Sequence, residues 1–419
     1  MSNSYQVKVN SEIGELEGVI VHSPGKEVEN MTPKNAERAL YSDILNLSVA
    51  QREYGHFRKA LAKHAPVFEV RDLLQDVLGN QRVKETLIDH IFDNEHTMAS
   101  RHFLLGLSDE ELARQLLEGV ILIKDNLTKY FSKERYALRP LHNFFFTRDA
   151  SMAIRDKVLI GRMASHVRGR ESMIMQAIFD YHPMFRTQTL NPLQHATFND
   201  QISIEGGDVL VARDDVLLIG TGTRTTSQGI DFILEQIESK DQVRHIIVQE
   251  LPESPESFIH LDMVFTFLDH NKCMIFEPVI LKPNRYQTVH ITIDNGKVSI
   301  NNEKNIIECL KKLGFDLEPV FCGGTKDPWA QEREQWHSGA NFFALAPGKV
   351  IGYARNVYTM EEMNNHGFEI LSAEDIGNGK VDISKYDKYV VAVEGSELPR
   401  GGGGARCMTM PFSRKPVQW

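Results

Sequence analysis

Hydrophobic and polar positions along the chain fall into one unit that keeps returning: two short strands joined by a polar turn, an amphipathic helix, then another short strand. The plainest copy opens with Asp208-Val209-Leu210-Val211-Ala212, turns at Arg213-Asp214-Asp215 and returns as Val216-Leu217-Leu218-Ile219-Gly220. Thr226-Ser227 supplies a helix cap, and Ile230, Ile233, Leu234 and Ile237 then line one helical face. His245–Val248 closes the unit. A second copy opens at Met263–Phe267, turns near Asp269-His270-Asn271, and carries Ile306, Ile307, Leu310 and Leu313 on a helix stopped by Gly314. A third runs through Phe342–Leu345, a Pro347-Gly348 turn and Val350–Tyr353, with its helix opened by a capping box at Thr359 and Glu362. The fourth spans Ser151 to Gly161 with a helix near Arg170–Tyr181. The fifth combines Val19–Val21, a helix around Gln51–Ala62 and Val67–Val70, borrowing its opening strand from Met408-Thr409-Met410.

No such unit buries its apolar face alone, so the pattern predicts an α/β fold in which five modules close into a ring about an axis. Between about Gln75 and Asp125 the strand pattern gives way to helical periodicity (Leu87, Ile88, Ile91, Phe92; Leu112, Leu116, Val120), with a capping box at Ser108 and Glu111. The expected organisation is a modular domain over residues 1–74 and 126–419, with an inserted helical subdomain over 75–125.

Composition narrows the function classes. The net charge of −10, with basic residues scattered, disfavours nucleic acid and anionic membranes as partners. No run of about 18 apolar residues occurs, and the first residues lack the pattern of a signal peptide, so a cytoplasmic location is expected. Cys273, Cys309, Cys322 and Cys407 show neither a disulfide framework nor metal-ligand spacing. Cys273 and Cys309 sit in strand and helix patterns as small buried hydrophobes.

Polar residues recur at one phase of the repeat, before or at the first strand of a unit. They are Asp149, Glu205 with Asp208, His260 with Asp262, and Cys407 after the run Arg400-Gly401-Gly402-Gly403-Gly404-Ala405-Arg406. Singly, each reads as a turn, cap or core residue; together, in modules arranged about an axis, they surround one pocket. A thiolate with a histidine supports nucleophilic attack on an electrophilic carbon. Several carboxylates near the thiol raise its pKa and offer no oxyanion stabilisation, which argues against acyl transfer. They suit a substrate that brings its own positive charge, such as a guanidinium.

The segments Phe146-Thr147-Arg148-Asp149, Glu205-Gly206-Gly207-Asp208, His260-Leu261-Asp262 and Arg406-Cys407-Met408-Thr409-Met410-Pro411 resemble the motifs of the guanidino-group-modifying (pentein) superfamily, and most closely those of the arginine deiminase family. The resemblance extends from Val19 to Lys415 and includes the helical insertion. It implies a five-bladed α/β propeller, a homodimer or higher homo-oligomer, and hydrolysis of L-arginine to L-citrulline and ammonia without metal or cofactor. It implies that Cys407 attacks the guanidinium carbon to form a thiouronium, and that His260 protonates the departing ammonia and then activates water. Asp149 and Asp262 would hold the guanidinium nitrogens, while Glu205 would bind the guanidinium and orient His260. Arg168 and Arg224 match the family's carboxylate-binding arginines, and Leu40, Asn143, Phe146 and Gly401 fall on its remaining substrate contacts.

Related activities are agmatine and dimethylarginine hydrolysis and amidino transfer to an amine. Arg168 and Arg224 argue against agmatine, which has no carboxylate. A non-catalytic arginine-binding paralogue would have no need of Cys407. A papain-like protease is disfavoured by the acidic surroundings and by a cysteine that follows its histidine. The chain departs from many family members at Gly402, where the resemblance leads one to expect an arginine that reaches into the site. Binding of arginine is therefore expected to be weaker than in arginine-bearing relatives, and Gly402→Arg should lower KM; an unchanged KM in steady-state assays would refute this.

Overall fold

The computed structural model describes residues 4–32, 41, 43–195, 201–237 and 242–419. Leu40 lies outside the described residues. Five of its sheets share one plan, an antiparallel hairpin whose second strand is joined in parallel by a third. In the first, Val209–Arg213 pairs with Val216–Thr221, which runs parallel to Arg244–Glu250. The corresponding trios are Phe265–Asp269, Lys272–Ile275 and Glu318–Phe321, then Phe343–Ala346, Lys349–Tyr353 and Tyr389–Val393. Ser151–Ile154, Lys157–Ile160 and Gln188–Leu190 form the fourth. The fifth joins the two ends of the described chain, because Met410–Arg414 pairs antiparallel with Leu16–Val21, which lies parallel to Val67–Glu69. No sheet among the described residues closes on itself. Among the described residues no helix is long and apolar enough to cross a membrane.

The parallel third strand needs a crossover, and the amphipathic helices supply it. Ser227–Ile237 is capped by the Thr226 hydroxyl, which accepts from Gly229 N at 3.2 Å. Leu47–Leu61 starts earlier than its periodicity suggests because Asn46 caps it, accepting from Val49 N. Ile306–Lys312 ends before Gly314, whose φ of 89° fits a left-handed stop. Between Val70 and Glu118 the chain is mainly helical: Val70–Leu78, Gln81–Asn94, Arg101–Leu105 and Asp109–Glu118. Ser108 caps the last of these as expected, accepting from Glu111 N. Leu74, Leu87, Ile91 and Leu116 share one buried core with Met175 and Ile178 of the helix Gly169–Tyr181.

One expectation needs correction. Thr359 does not open its helix, which runs Val357–Asn365; it is fully buried inside it, and its hydroxyl donates to Glu334 Oε2 at 2.6 Å. A partner across the core thus outcompetes the local cap. The segment before Ile306 is a hairpin, Thr288–Asp294 with Lys297–Glu303, which extends the first sheet by pairing antiparallel with Arg244–Glu250.

Phe412 locks the terminal pairing. It is fully buried, its ring 5.4 Å from Tyr5, 5.8 Å from Phe68 and 5.1 Å from Phe185 between centroids. It also lies over Gly18, where a Cβ would come within 2.3 Å of it. Phe412→Ala should cost about 3–5 kcal/mol of unfolding free energy through lost burial and a residual cavity, measurable by urea denaturation; a loss below about 1 kcal/mol would show that the site collapses freely.

Candidate active site

The five sheets each present a polar residue at the leading end of the hairpin. Asp149 precedes Ser151–Ile154, Glu205 precedes Val209–Arg213, and His260 and Asp262 precede Phe265–Asp269. Cys407 precedes Met410–Arg414, and Asn341 precedes Phe343–Ala346. All six are buried. Asp149, Glu205, His260 and Cys407 line one narrow cleft, together with Asn143, Phe146, Arg168, Arg224 and Gly401–Gly403. Asp262 lies beside the thiol, with Oδ2 3.9 Å from Cys407 Sγ.

His260 bridges two carboxylates. Its Nε2 lies 2.9 Å from Glu205 Oε2, and its Nδ1 lies 3.7 Å from Asp149 Oδ1. Burial alone would lower its pKa, but the Asp149 charge, the Glu205 hydrogen bond and Asp208 outweigh that and raise it to about 9. Glu205, which burial would raise, is held at about 2 by the His260 hydrogen bond and charge, with Arg224 and Arg168 assisting. Gly207 makes this geometry possible, since a Cβ there would sit 2.4 Å from His260 Nδ1. Burial, with Asp262 and Asp149 nearby, raises the Cys407 thiol well above its ordinary value.

Sequence reasoning passed over Asn341 although it stands at the same phase of the repeat. Its Nδ2 donates to Cys407 Sγ at 3.2 Å, and its Oδ1 accepts from Arg406 N and Cys407 N at 2.9 and 3.3 Å. Arg406, the last residue of the run before Cys407, buries its guanidinium, which donates to Asp262 Oδ2 at 2.8 Å and to both oxygens of Glu12. No pattern at residue 12 signals this, because the contact spans nearly the whole chain.

Arg168 is turned inward. It donates to Asp149 Oδ2 at 2.8 Å and chelates Glu171 through Nε and Nη2. Burial, together with Asp149 and Glu205, outweighs the Arg168 charge and raises Glu171 to about 7. Arg224 is held more loosely, 3.9 Å from Glu205 Oε1. Gly402 has φ of 88°, so an arginine there would carry about 1–2 kcal/mol of left-handed strain, which works against any gain in binding from Gly402→Arg. Two described groups could gather around a metal ion: Asp149, Glu205 and His260, and, outside the cleft, His290, Glu303 and Cys309. Cations of the protein already meet both, through Arg168 on Asp149 and Lys312 on Glu303 at 2.5 Å.

The fold is similar to that of SxtG, an amidinotransferase from Microseira wollei (14% identity, 99% of this chain and 98% of that one, TM-score 0.51). It is also similar to the N-terminal domain of ArgZ, a cyanobacterial arginine dihydrolase (11% identity, 96% and 98%, TM-score 0.52). On such a fold the chain carries a thiol, an imidazole and clustered carboxylates at the strand ends. The chain belongs to the arginine deiminase family, whose model matches residues 37–414. It is 31% identical to an arginine deiminase of Bacillus cereus over 99% of this chain and all of that protein.

The charge arrangement fixes the pH behaviour of His260. Its folded pKa of about 9 lies above its ordinary 6.5, so the stability it contributes is complete below about pH 6.5 and is lost as pH rises through about 9. Titration of the imidazole by NMR should give a midpoint near 9, and Asp149→Asn or Glu205→Gln should each lower it by about one unit or more. A midpoint near 6.5 in the unaltered protein would overturn the assignment.

Proposed function

We propose that the five sheets are the blades of a five-bladed α/β propeller and that the cleft at its axis hydrolyses L-arginine to L-citrulline and ammonia through a covalent Cys407 intermediate. The observation that carries this reading is a pair of buried carboxylate oxygens, Asp149 Oδ1 and Asp262 Oδ1, which have no hydrogen-bond partner in the protein. Asp262 stands beside the thiol through its other oxygen, Oδ2, 3.9 Å from Sγ, and Asp149 Oδ1 faces His260 Nδ1 at 3.7 Å; a guanidinium, planar and rich in N–H donors, meets the needs of both carboxylates. Its charge also offsets the carboxylates that keep the thiol protonated, so binding favours the thiolate.

The thiolate of Cys407 then adds to the guanidinium carbon, forming the C–S bond. Protonated His260 delivers its proton to the nitrogen that leaves as ammonia, and the C–N bond breaks to give a thiouronium. Neutral His260 next takes a proton from water as the water oxygen adds to the same carbon. The C–S bond then breaks with its electron pair on sulfur and the new hydroxyl passes its remaining proton to solvent, which releases citrulline and returns the thiolate. Glu205 holds the imidazole in register for both transfers. Arg224, the more loosely held cation, receives the substrate carboxylate first, and Arg168 joins it on exchanging Asp149 for the substrate. Asn143, Phe146 and Gly401 line the path; Leu40, expected to contact substrate, falls outside the described residues.

Purified protein should release citrulline and ammonia from arginine but not from agmatine or dimethylarginine, and Cys407→Ser should lower kcat/KM by at least about a thousandfold. Turnover of another guanidine in place of arginine would refute the substrate assignment. Full activity in Cys407→Ser would refute the covalent route.

A further inference from the structure

The glycine wall of the cleft has no side chains of its own to set its course between Gly401 and Gly404. Its shape is therefore decided by what holds its ends and middle. Beyond it, Asn341 fixes the backbone at Arg406 and Cys407. In the middle, the buried Tyr353 hydroxyl donates to Gly403 O at 3.1 Å. Before it stands Glu53, a fully buried carboxylate on the helix Leu47–Leu61 that takes no part in the chemistry above.

Glu53 gathers donors from consecutive residues of the segment that leads into the wall. Oε1 accepts from Ser396 N at 2.7 Å and from the Ser396 hydroxyl, and Oε2 accepts from Glu397 N and Leu398 N, both at 3.1 Å. A carboxylate caught by three successive backbone N–H groups is bound by oriented dipoles of the loop. The short turn Leu398–Gly401 begins at the last of these donors, and Gly402 follows it in the left-handed conformation.

We propose that Glu53 is a positioning residue for the active site: it anchors Ser396–Leu398 and thereby sets where Gly401–Gly403 stand over the substrate, without touching the substrate itself. This rests on the cleft around Cys407 being the active site. A displacement of the wall changes the fit of the substrate, while Asp149 and His260 belong to other hairpins and Cys407 is held separately by Asn341. The effect therefore falls on binding more than on chemistry.

The test compares the full-length protein with Glu53→Gln, Glu53→Asp and Ser396→Ala, each assayed well below its melting temperature. Glu53→Gln turns an N–H donor toward the loop N–H groups and should raise KM for arginine by about tenfold, with kcat changed by less than about threefold. Glu53→Asp keeps the charge and should recover part of that loss. Ser396→Ala removes only the hydroxyl and should raise KM by about twofold to threefold, which keeps the test open if Glu53→Gln does not fold. Alkylation of Cys407 by iodoacetamide provides a readout that needs no turnover: the anchor variants should be alkylated faster than the parent. Unchanged KM and alkylation rate in the folded variants, with only a lower Tm, would overturn the proposal. A parent protein that turns over no arginine, yet shows the alkylation difference, would refute the substrate reading and leave the anchor standing.

Discussion

The guanidinium of Arg406 is the point on which the site is built. It is almost fully buried and donates to Glu12, Asp262 and the carbonyl of Val209, so it joins the start of the described chain, two separate hairpins and the residue beside the nucleophile. Burying an unpaired ion is prohibitive, and removing one member of a buried pair costs about 3–5 kcal/mol, so these segments adopt this arrangement together or not at all. Arg148 and Arg414 crowd the same Glu12. Its carboxyl, which burial would raise, is drawn down to about 2 by Arg406 and Arg148. Burial and the charge of Arg406 lower Arg148 to about 9, and burial lowers Arg414 to about 10.

A layer of arginines beneath a layer of carboxylates accounts for the electrostatics of the cleft. The acidic residues above are held by specific cations: Asp149 by Arg168, Glu205 by His260, Asp262 by Arg406. Each pairing uses one carboxylate oxygen; the other, on Asp149 and Asp262, accepts no hydrogen bond from the protein, although Asp149 Oδ1 faces His260 Nδ1 at 3.7 Å. Burial, with Asp262 and Asp149 nearby, pushes the Cys407 thiol above its ordinary range, which limits its reaction with stray electrophiles.

Much of this was legible in the sequence because it depends on local periodicity. The hairpins at Val209–Thr221 and Phe343–Tyr353 follow from alternation and turn residues, and the phase of Asp149, Glu205, His260 and Cys407 follows from their place before those strands. Asn341 obeys the same rule, but asparagine before a strand has an ordinary reading as a turn residue, and its partners lie more than sixty positions away. Thr359 misled for the opposite reason: its local capping pattern is real, yet Glu334 offers the hydroxyl a better partner. The hairpin Thr288–Glu303 was overlooked because its second strand is exposed and carries too little alternation to stand out. Glu12 with Arg406, Glu53 with Ser396 and Arg168 with Asp149 are contacts of the finished fold, which no spacing rule encodes.

The pairing of Leu16–Val21 with Met410–Arg414 has a further consequence for how the molecule comes into being. Synthesis runs from the N-terminus, and Cys407 follows every other residue of the cleft. Until the last hairpin forms, the strand at Leu16–Val21 waits without its antiparallel neighbour, Glu12 lacks its arginine, and the carboxylates of the cleft face no thiol. Closure over so long a separation is entropically slow. A chain made only as far as the glycine run thus lacks the thiol of the cleft, which is completed late, when Met410–Arg414 pairs with Leu16–Val21.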